Sequence, residues 1–530
     1  MDLFDLGTYF GSYVPVRALN NPLLKYAMCA YAAKQLGLIK GKKAPAGGGP
    51  CSKQSALVAW PEKDKRDWYW CGAKYYDKAI QLLMRELQHD EGPPPLSTPE
   101  AFGQWQASEL CEDNENPRKR RRRYLDSHLS NGVHSDEVLA ATAILSVYEF
   151  LDATGPAWNR HLSGVKSLLD VAEVGVLPLE QRPLGDPAFP APKRSGFSKA
   201  RKAIFWNFAR QDYLAACKFL YNMRDSRQCF DIQAVINESH TRLNTDDLLL
   251  WTEAGLQLDS MGFVCPSNTS VSGYPEGVDV MKEDLISNAL VWILSKIVNF
   301  ISAGDKVHLD HNQSVNTGPL GVSQQVLLER WYRLEAELDA WHGGLPDTFQ
   351  PCARIFPSQL PGYEPSTNDQ NESNDNNNDD NDKEINNNKG DNDDVLFPEV
   401  WHCIPMCSAT MQHYHMARIV LLINKPHDST SRRSTIANRL NSYRSIESEI
   451  RFHCREILGI SMSHPHSTVR IHSLQPLFVS GQCLTEPHER RIIVHLLRDI
   501  EADLGWATEY RVQQLLKDWG WDESGDLRVS

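Results

Sequence analysis

Residues 327–341 read Leu-Leu-Glu-Arg-Trp-Tyr-Arg-Leu-Glu-Ala-Glu-Leu-Asp-Ala-Trp, and this stretch decides the fold class. Its large apolar residues recur at spacings of four, three, four and three, at Leu327, Trp331, Leu334, Leu338 and Trp341. This spacing puts all of them on one face of an α-helix and leaves the charged residues on the other. The stretch therefore predicts an amphipathic helix packed against a core.

The same period recurs along the chain, and strands with alternating patterns are nearly absent. Two further apolar stripes with helical spacing are Ile204, Phe208, Ala215 and Phe219, and Ile286, Leu290, Ile293, Ile297 and Ile301. Ser135 followed by Asp136 and Glu137 indicates a capped helix start before residues 138–151. More helices are predicted at 407–423, 446–460, 489–504 and 507–519. The patterns predict an all-α fold.

Composition and charge narrow the class of protein. The chain of 530 residues is 41% hydrophobic, enough to build a large core, and its net charge is −13. An acidic body lacks the broad basic surface of a stand-alone nucleic-acid binder. Residues 285–301 are the most apolar stretch but are short for a membrane span and include polar side chains. They predict a buried helix, and no membrane partner is expected.

Four segments are predicted to be disordered insertions in the helical body. They are rich in glycine, proline, charge or asparagine and lie at 40–53, 92–124, 178–198 and 361–396. The segment 368–394 is nearly all Asn and Asp, and a spacer is the favoured interpretation over an interaction segment. The 12 cysteines are scattered, as expected of reduced thiols in the cytosol or nucleus, and the start of the chain does not resemble a signal peptide.

Catalytic and metal motifs are not evident. No phosphate loop, His-Glu-x-x-His or Gly-x-Ser-x-Gly is present. The acidic run 379–382 falls in the Asn/Asp segment, where no helix would hold a magnesium ion. A zinc site is one interpretation of Cys403, Cys407, His413 and His415, but a straight helix places them too far apart to bind the same ion. His464, His466 and His472 are interpreted as solvated loop residues, and no metal site or cofactor is predicted.

Six consecutive cations give the clearest functional pattern. They are Arg118, Lys119, Arg120, Arg121, Arg122 and Arg123. A nuclear-import signal is favoured because the run lies in a proline-flanked insertion, where a receptor can reach an extended peptide. A solvated charge run and a phosphate-contacting patch remain alternatives.

Arg210 and Gln211 are predicted to form a structurally important polar pair. Gln211 falls on the apolar stripe of its helix, where a buried amide without a partner costs about 1–3 kcal/mol. We expect Gln211 to bind backbone at a neighbouring helix end, and Arg210 to reach a carboxylate. A pair on the helix surface is the alternative.

Seven segments occur in the order found in one known family. They are residues 22–33, 70–87, 136–164, 205–212, 331–351, 397–418 and 519–521. The Phe205-Trp206 and Ala209-Arg210-Gln211-Asp212 strings and the closing Trp519-Gly520-Trp521 are typical of it. In this order, over nearly the whole chain, the sequence resembles the fungal-specific transcription factor domain, which is usually attached to a Zn(II)2Cys6 binuclear cluster.

The resemblance implies one regulatory domain over residues 1–530 and a nuclear transcription regulator of metabolic or secondary-metabolite genes. Its expected partners are the transcription machinery or co-regulator proteins, with homodimerisation and a small effector as further options. A zinc cluster requires Cys-x-x-Cys pairs, and this sequence has none. Zinc is therefore expected only if a cluster lies upstream of Met1, and DNA contact is otherwise indirect. The competing interpretations are a cytoplasmic helical scaffold and, less favoured, an all-α enzyme.

Overall fold

The protein is described from a computed structural model. The structure describes residues 1–39, 67–88, 136–152, 155–174, 197–222, 240–268, 281–313, 320–356, 398–426, 436–463 and 465–521. The predicted insertions at 40–53, 92–124 and 361–396 lie outside the described residues, as does 178–196.

The described residues form fifteen α-helices and one small sheet, which confirms the all-α prediction for this part of the chain. The helices are α1 Val14–Ala18, α2 Pro22–Leu38, α3 Trp68–Gln88, α4 Asp136–Phe150, α5 Gly155–Val174, α6 Lys199–Asn222, α7 Leu248–Glu253, α8 Glu283–Gln313, α9 Leu320–Gly343, α10 Pro405–Ile423, α11 Ile436–Met462, α12 Ser467–His472, α13 Leu474–Cys483, α14 Pro487–Leu504 and α15 Glu509–Trp519. The strands are β1 Ala353–Ile355 and β2 Glu399–Trp401. They pair antiparallel, with Ala353 opposite Trp401.

Helices α6, α8 and α10 form the middle of the bundle. Helix α8 packs against α6, α9 and α10, while α10 also packs against α11 and α13. The window Glu283–Ser302 in α8 is long and apolar enough to span a membrane, but 78% of it is buried inside the protein. A core helix accounts for this pattern, as the sequence predicted.

One hydrophobic cluster includes residues from Tyr9 to Trp521. Its largest side chains are tryptophans, and the indole N–H groups of several bind carbonyl oxygens of other segments. Trp331 donates to Leu421 O at 2.8 Å, Trp341 to Ile286 O at 3.0 Å and Trp292 to Thr245 O at 3.0 Å. Each indole therefore buries a large apolar area and also fixes the backbone of a second segment.

Helices α2 and α3 cross at unusually close range because glycine lies at both contact points. A Cβ on Gly37 would lie 2.6 Å from Tyr69 N, and a Cβ on Gly72 would lie 2.9 Å from Lys34 N. Any side chain at these positions would push the backbones apart. The crossing brings Lys34 of α2 under the end of α4, which matters for the interior charges described below.

Two predicted boundaries are wrong. Helix α11 begins at Ile436, ten residues before the predicted start at 446. Residues 440–445 in its early turns are exposed, including Leu440 and Tyr443, so this part of the helix does not contribute to the core. The predicted insertion 178–198 also extends too far. Ser198 Oγ accepts the N–H of Arg201 at 3.1 Å, and Phe197 lies edge-on against Phe205. Both residues belong to the start of α6.

Candidate functional site

The strongest candidate site is a set of polar side chains at the centre of the bundle, on helix α6. Residues Asn207, Arg210, Gln211 and Asp212 are each less than 8% exposed although all are polar or charged. Helix α6 packs against α4, α5 and α8, so no face of its middle turns meets solvent. Buried groups of this kind are stable only when they are paired.

Gln211 pairs with two side chains in the middle of helices. Ser146 of α4 donates to Gln211 Oε1 at 2.8 Å, and Gln211 Nε2 donates to Asn207 Oδ1 at 2.7 Å. The predicted burial of Gln211 agrees with its exposure of 6%. These partners differ from the prediction, which placed a backbone group at a helix end beside it.

Arg210 binds an amide oxygen rather than the predicted carboxylate. Its Nη1 donates to Asn288 Oδ1 of α8 at 2.9 Å, and its guanidinium lies 4.3 Å from the centre of the Phe4 ring. Burial lowers the pKa of Arg210 to about 10, so the group stays charged at neutral pH. An amide dipole and an aromatic face stabilise this charge, and the acids Asp5 and Asp284 add a coulombic contribution.

Asp212 binds the segment 241–245, which has no helix of its own. Its carboxylate accepts Arg242 Nη1 at 3.1 Å and the Leu243 N–H at 2.9 Å. Burial raises the pKa of Asp212, while the bonds from Leu243 and Arg242 oppose that rise. Asn299 of α8 accepts the Thr241 N–H at 2.9 Å and completes the attachment. The three consecutive residues Arg210, Gln211 and Asp212 thus bind three different neighbours.

A group of histidines on α10 and its neighbours lies beside Arg210. His413 shares a hydrogen bond of 2.8 Å with Ala409 O, and its ring centre is 6.3 Å from that of His472. His472 also lies edge-on against Phe4 at 5.0 Å. Burial lowers the pKa of His413 to about 4 and that of His472 well below its usual value. The interpretation of His472 as a solvated loop residue is wrong, because it is the last residue of α12 and its ring packs against Phe4 and His413.

A second pair of histidines joins α10 to α11. The Nδ1 atoms of His415 and His453 are 2.8 Å apart, so one ring donates to the other. His342 of α9 stacks on Tyr414 next to them, with ring centres 4.4 Å apart. Burial lowers the pKa of His453 to about 4 and that of His415 well below its usual value. These rings are neutral at physiological pH and act as hydrogen-bonding core residues.

Lys34 is a buried cation that sequence reasoning missed. Its Nζ lies 2.6 Å from Asp152 Oδ2, donates to Tyr148 O at 2.9 Å and lies 3.9 Å from the centre of the Tyr148 ring. Tyr76 stacks on Tyr148, and its hydroxyl is 2.7 Å from His161 Nε2. The cluster joins α2, α3, α4 and α5. The Lys34 ammonium is paired with the Asp152 carboxylate and with a carbonyl oxygen at the end of α4.

The structure does not bring the zinc candidates together. Cys403 is exposed before α10, whereas Cys407 is fully buried inside it. In the part of the chain that the structure describes, no three His, Cys, Asp or Glu residues form a group that could hold a metal ion. A cavity of about 10 Å³ between α11, α12 and α14 has room for about one water molecule. Arg118 to Arg123 lie outside the described residues.

Comparison with known proteins gives one clear relative. The chain is 39% identical over 520 residues to a transcription activator of Alternaria alternata named AMTR1. The match covers 98% of this chain and 61% of the relative, so the chain spans about three fifths of that protein's length. No family model matches the chain. No solved structure matches it.

Proposed function

We propose that this chain is a transcription regulator of the fungal type that acts through contacts with co-regulator proteins or the transcription machinery. The observation that carries the proposal is its 39% identity to a transcription activator over 98% of its length. The match covers 520 residues of the chain. The seven sequence segments that resemble the fungal-specific transcription factor domain support the same role. Metabolic or secondary-metabolite genes are the proposed targets.

The buried polar and charged side chains support the proposal of a regulatory protein over that of an enzyme. Arg210 joins α6 to α8, Asp212 joins α6 to the segment 241–245, and Lys34 joins α2 to the end of α4. The buried histidines have lowered pKa values and sit in hydrogen bonds within the core. These groups fix the mutual positions of helices from distant parts of the chain. A core of this kind makes the fold rigid, which suits a surface that binds other proteins.

DNA reading is proposed to come from outside these 530 residues. The chain has a net charge of −13, whereas a stand-alone DNA-binding protein typically presents a broad basic surface to the phosphate backbone. A Zn(II)2Cys6 cluster joined to this region, or a partner protein, would supply sequence recognition. Zinc belongs to the proposal only in that form.

A tethering experiment tests the regulatory role. The chain is fused to an unrelated DNA-binding module and expressed with a reporter gene carrying that module's site. We expect reporter transcription to change several-fold relative to the module alone, because the chain recruits partners without reading DNA itself. A matched fusion carrying Asp212→Ala, which weakens the core, is expected to lose the effect. A folded, nuclear fusion that leaves transcription unchanged would contradict the proposed function.

Nuclear import is proposed to depend on Arg118 to Arg123. Replacing Arg120, Arg121, Arg122 and Arg123 by Ala is expected to shift fluorescently tagged protein from the nucleus toward the cytoplasm. A row of adjacent cations is the feature that an import receptor binds. Replacing the same four residues by Lys keeps the charges and is expected to keep the protein nuclear. Full nuclear accumulation of the Ala variant, with no partner carrying it, would contradict the import role. The six cations would then be interpreted as a solvated charge run.

Location also separates the regulator from its main rival. A cytoplasmic scaffold would hold the wild-type protein in the cytosol whatever the state of the cation run. Nuclear wild-type protein together with a cytoplasmic Ala variant therefore excludes the scaffold. Cytosolic wild-type protein would favour it.

A further inference from the structure

Two cysteines beside the small sheet differ from the other described thiols. The structure describes nine cysteines, and the two that are exposed are Cys352 and Cys403. Cys352 directly precedes β1, and Cys403 lies two residues beyond the end of β2. Their thiols are hydrogen-bonded to each other. Access to solvent and contact between sulfurs are the two conditions for oxidation to a disulfide.

The sheet holds the two sulfurs in place. The Cys352 N–H donates to Trp401 O at 2.8 Å, and Cys352 Sγ lies 3.2 Å from the same oxygen. The register of β1 on β2 fixes these atoms, because Ala353 is paired with Trp401. Because the sheet already positions the two sulfurs, joining them costs little conformational entropy. A disulfide within the molecule is therefore favoured over one between molecules.

The sheet is in turn attached to helix α11. The two Nη atoms of Arg354 donate to the two carboxylate oxygens of Glu456, at 2.6 and 2.9 Å. Strand β2 lies so close to α11 that a Cβ on Gly459 would be 2.5 Å from Pro398 O. A bidentate ion pair and a backbone contact thus anchor both strands. The thiol pair belongs to a fixed part of the described structure.

We propose that Cys352 and Cys403 form a peroxide-sensitive modification site that closes to an intramolecular disulfide. The substrate is hydrogen peroxide, and the reductant that reverses the reaction is a small thiol such as glutathione. The site is independent of the transcriptional role proposed above.

The two sulfurs take different parts in the reaction. Partial burial, followed by the hydrogen bond with Cys403, raises the pKa of Cys352. A raised pKa disfavours the thiolate form of Cys352, so the first attack is assigned to Cys403. Cys352 is the resolving thiol.

The chemistry balances with one peroxide per disulfide. The Cys403 thiolate attacks one peroxide oxygen, the O–O bond breaks, and the departing hydroxide takes a proton and leaves as water. Cys352 then attacks the resulting sulfenic sulfur, the S–O bond breaks, and the second hydroxide leaves as water with the Cys352 proton. Two electrons pass from the sulfurs to the peroxide, and two glutathione thiols return them with release of glutathione disulfide.

The remaining described thiols explain why this pair is selective. Burial raises the pKa of Cys217 and of Cys407 to about 12, which keeps both protonated. Cys454 and Cys483 are also hydrogen-bonded to each other, but Cys454 is fully buried. Among the nine described thiols, Cys352 and Cys403 are the two that are exposed, so an oxidant in water reaches them before the other seven.

Peptide mapping of the full chain tests the site. Reduced protein is treated with a small excess of hydrogen peroxide, free thiols are blocked by alkylation, and the digest is read by mass spectrometry. We expect a crosslinked peptide joining Cys352 to Cys403 to appear before any other disulfide, and glutathione to restore both thiols. Cys352→Ser and Cys403→Ser are expected to lose that peptide, while the matched variant Cys454→Ser keeps it.

Two outcomes would overturn the proposal. One is wild-type protein in which another cysteine is oxidised first. The other is wild-type protein in which Cys352 and Cys403 are recovered separately, as alkylated thiols or as sulfinic acids. Both positions are exposed, so circular dichroism of the Ser variants is expected to match the wild type, and the wild-type map decides the question even where a variant fails to fold.

Discussion

Acidification from pH 7.5 to 5.5 is expected to lower the free energy of unfolding by about 4 kcal/mol through three buried histidines. His413, His415 and His453 are 5%, 7% and 5% exposed. Burial lowers the pKa of His413 and His453 to about 4 and that of His415 well below its usual value. A loss of this size is a large part of the 5–15 kcal/mol or so that stabilises a typical domain.

The direction of the effect follows from where the proton binds. Above the ordinary histidine pKa of about 6.5 both folded and unfolded chains leave the imidazoles neutral, and stability does not depend on these groups. Below it the unfolded chain binds protons that the folded core excludes. Each buried histidine then costs about 1.4 kcal/mol between pH 7.5 and 5.5, and the loss continues until the pH reaches the folded pKa of about 4. Asp212, whose pKa burial raises, opposes the loss at lower pH.

Urea unfolding at pH 7.5, 6.5 and 5.5 measures the effect. The variant His413→Gln is expected to show a shallower fall of stability with pH than wild type, whatever its stability at pH 7.5. His495 is mostly exposed on α14, so His495→Gln is the matched control and is expected to leave the slope unchanged. A wild-type free energy of unfolding that stays constant down to pH 5.5 would show that the three rings are hydrated.

The helices could be predicted from sequence because their signal is local. Leu334, Leu338 and Trp341 are spaced to cover one helix face, and the structure buries all three. The prediction missed the start of α11, because residues 440–445 in its early turns are exposed and do not contribute to the core. Apolar periodicity detects a helix through its buried face, so it gives no signal for a part of a helix that has no buried face.

The polar centre could be predicted only in part, since its partners lie far apart in sequence. Gln211 on an apolar stripe signalled a buried amide, but its partner Ser146 is 65 positions away and Asn288 is 78 positions from Arg210. No local pattern chooses between an amide, a carboxylate and a backbone group at such distances. His472 was misread for the same reason. A proline nearby suggested a loop, and only the packed structure shows Phe4 and His413 against it.

Replacing Asp212 by Ala is expected to lower the free energy of unfolding by about 3–5 kcal/mol, the cost of breaking a buried ion pair on one side. Asp212 is 1% exposed, and the Arg242 side chain that it binds is 17% exposed. The substitution leaves the guanidinium without its carboxylate and the buried Leu243 N–H without its acceptor. The segment 241–245 would lose its attachment to α6.

Two further variants show that the loss comes from the unpaired groups. Asp212→Asn keeps an oxygen for the Leu243 N–H but removes the charge, so a smaller loss of about 1–3 kcal/mol is expected. Glu447→Ala removes an exposed acid from α11 and is expected to change stability by less than about 0.5 kcal/mol. The three are compared by urea unfolding at pH 7.5, where the histidines contribute no difference. A loss for Asp212→Ala no larger than that for Glu447→Ala would mean that other bonds, among them those of Asn299 and Trp292, are enough to hold the segment 241–245. Asp212 would then not be needed for the stability of the core.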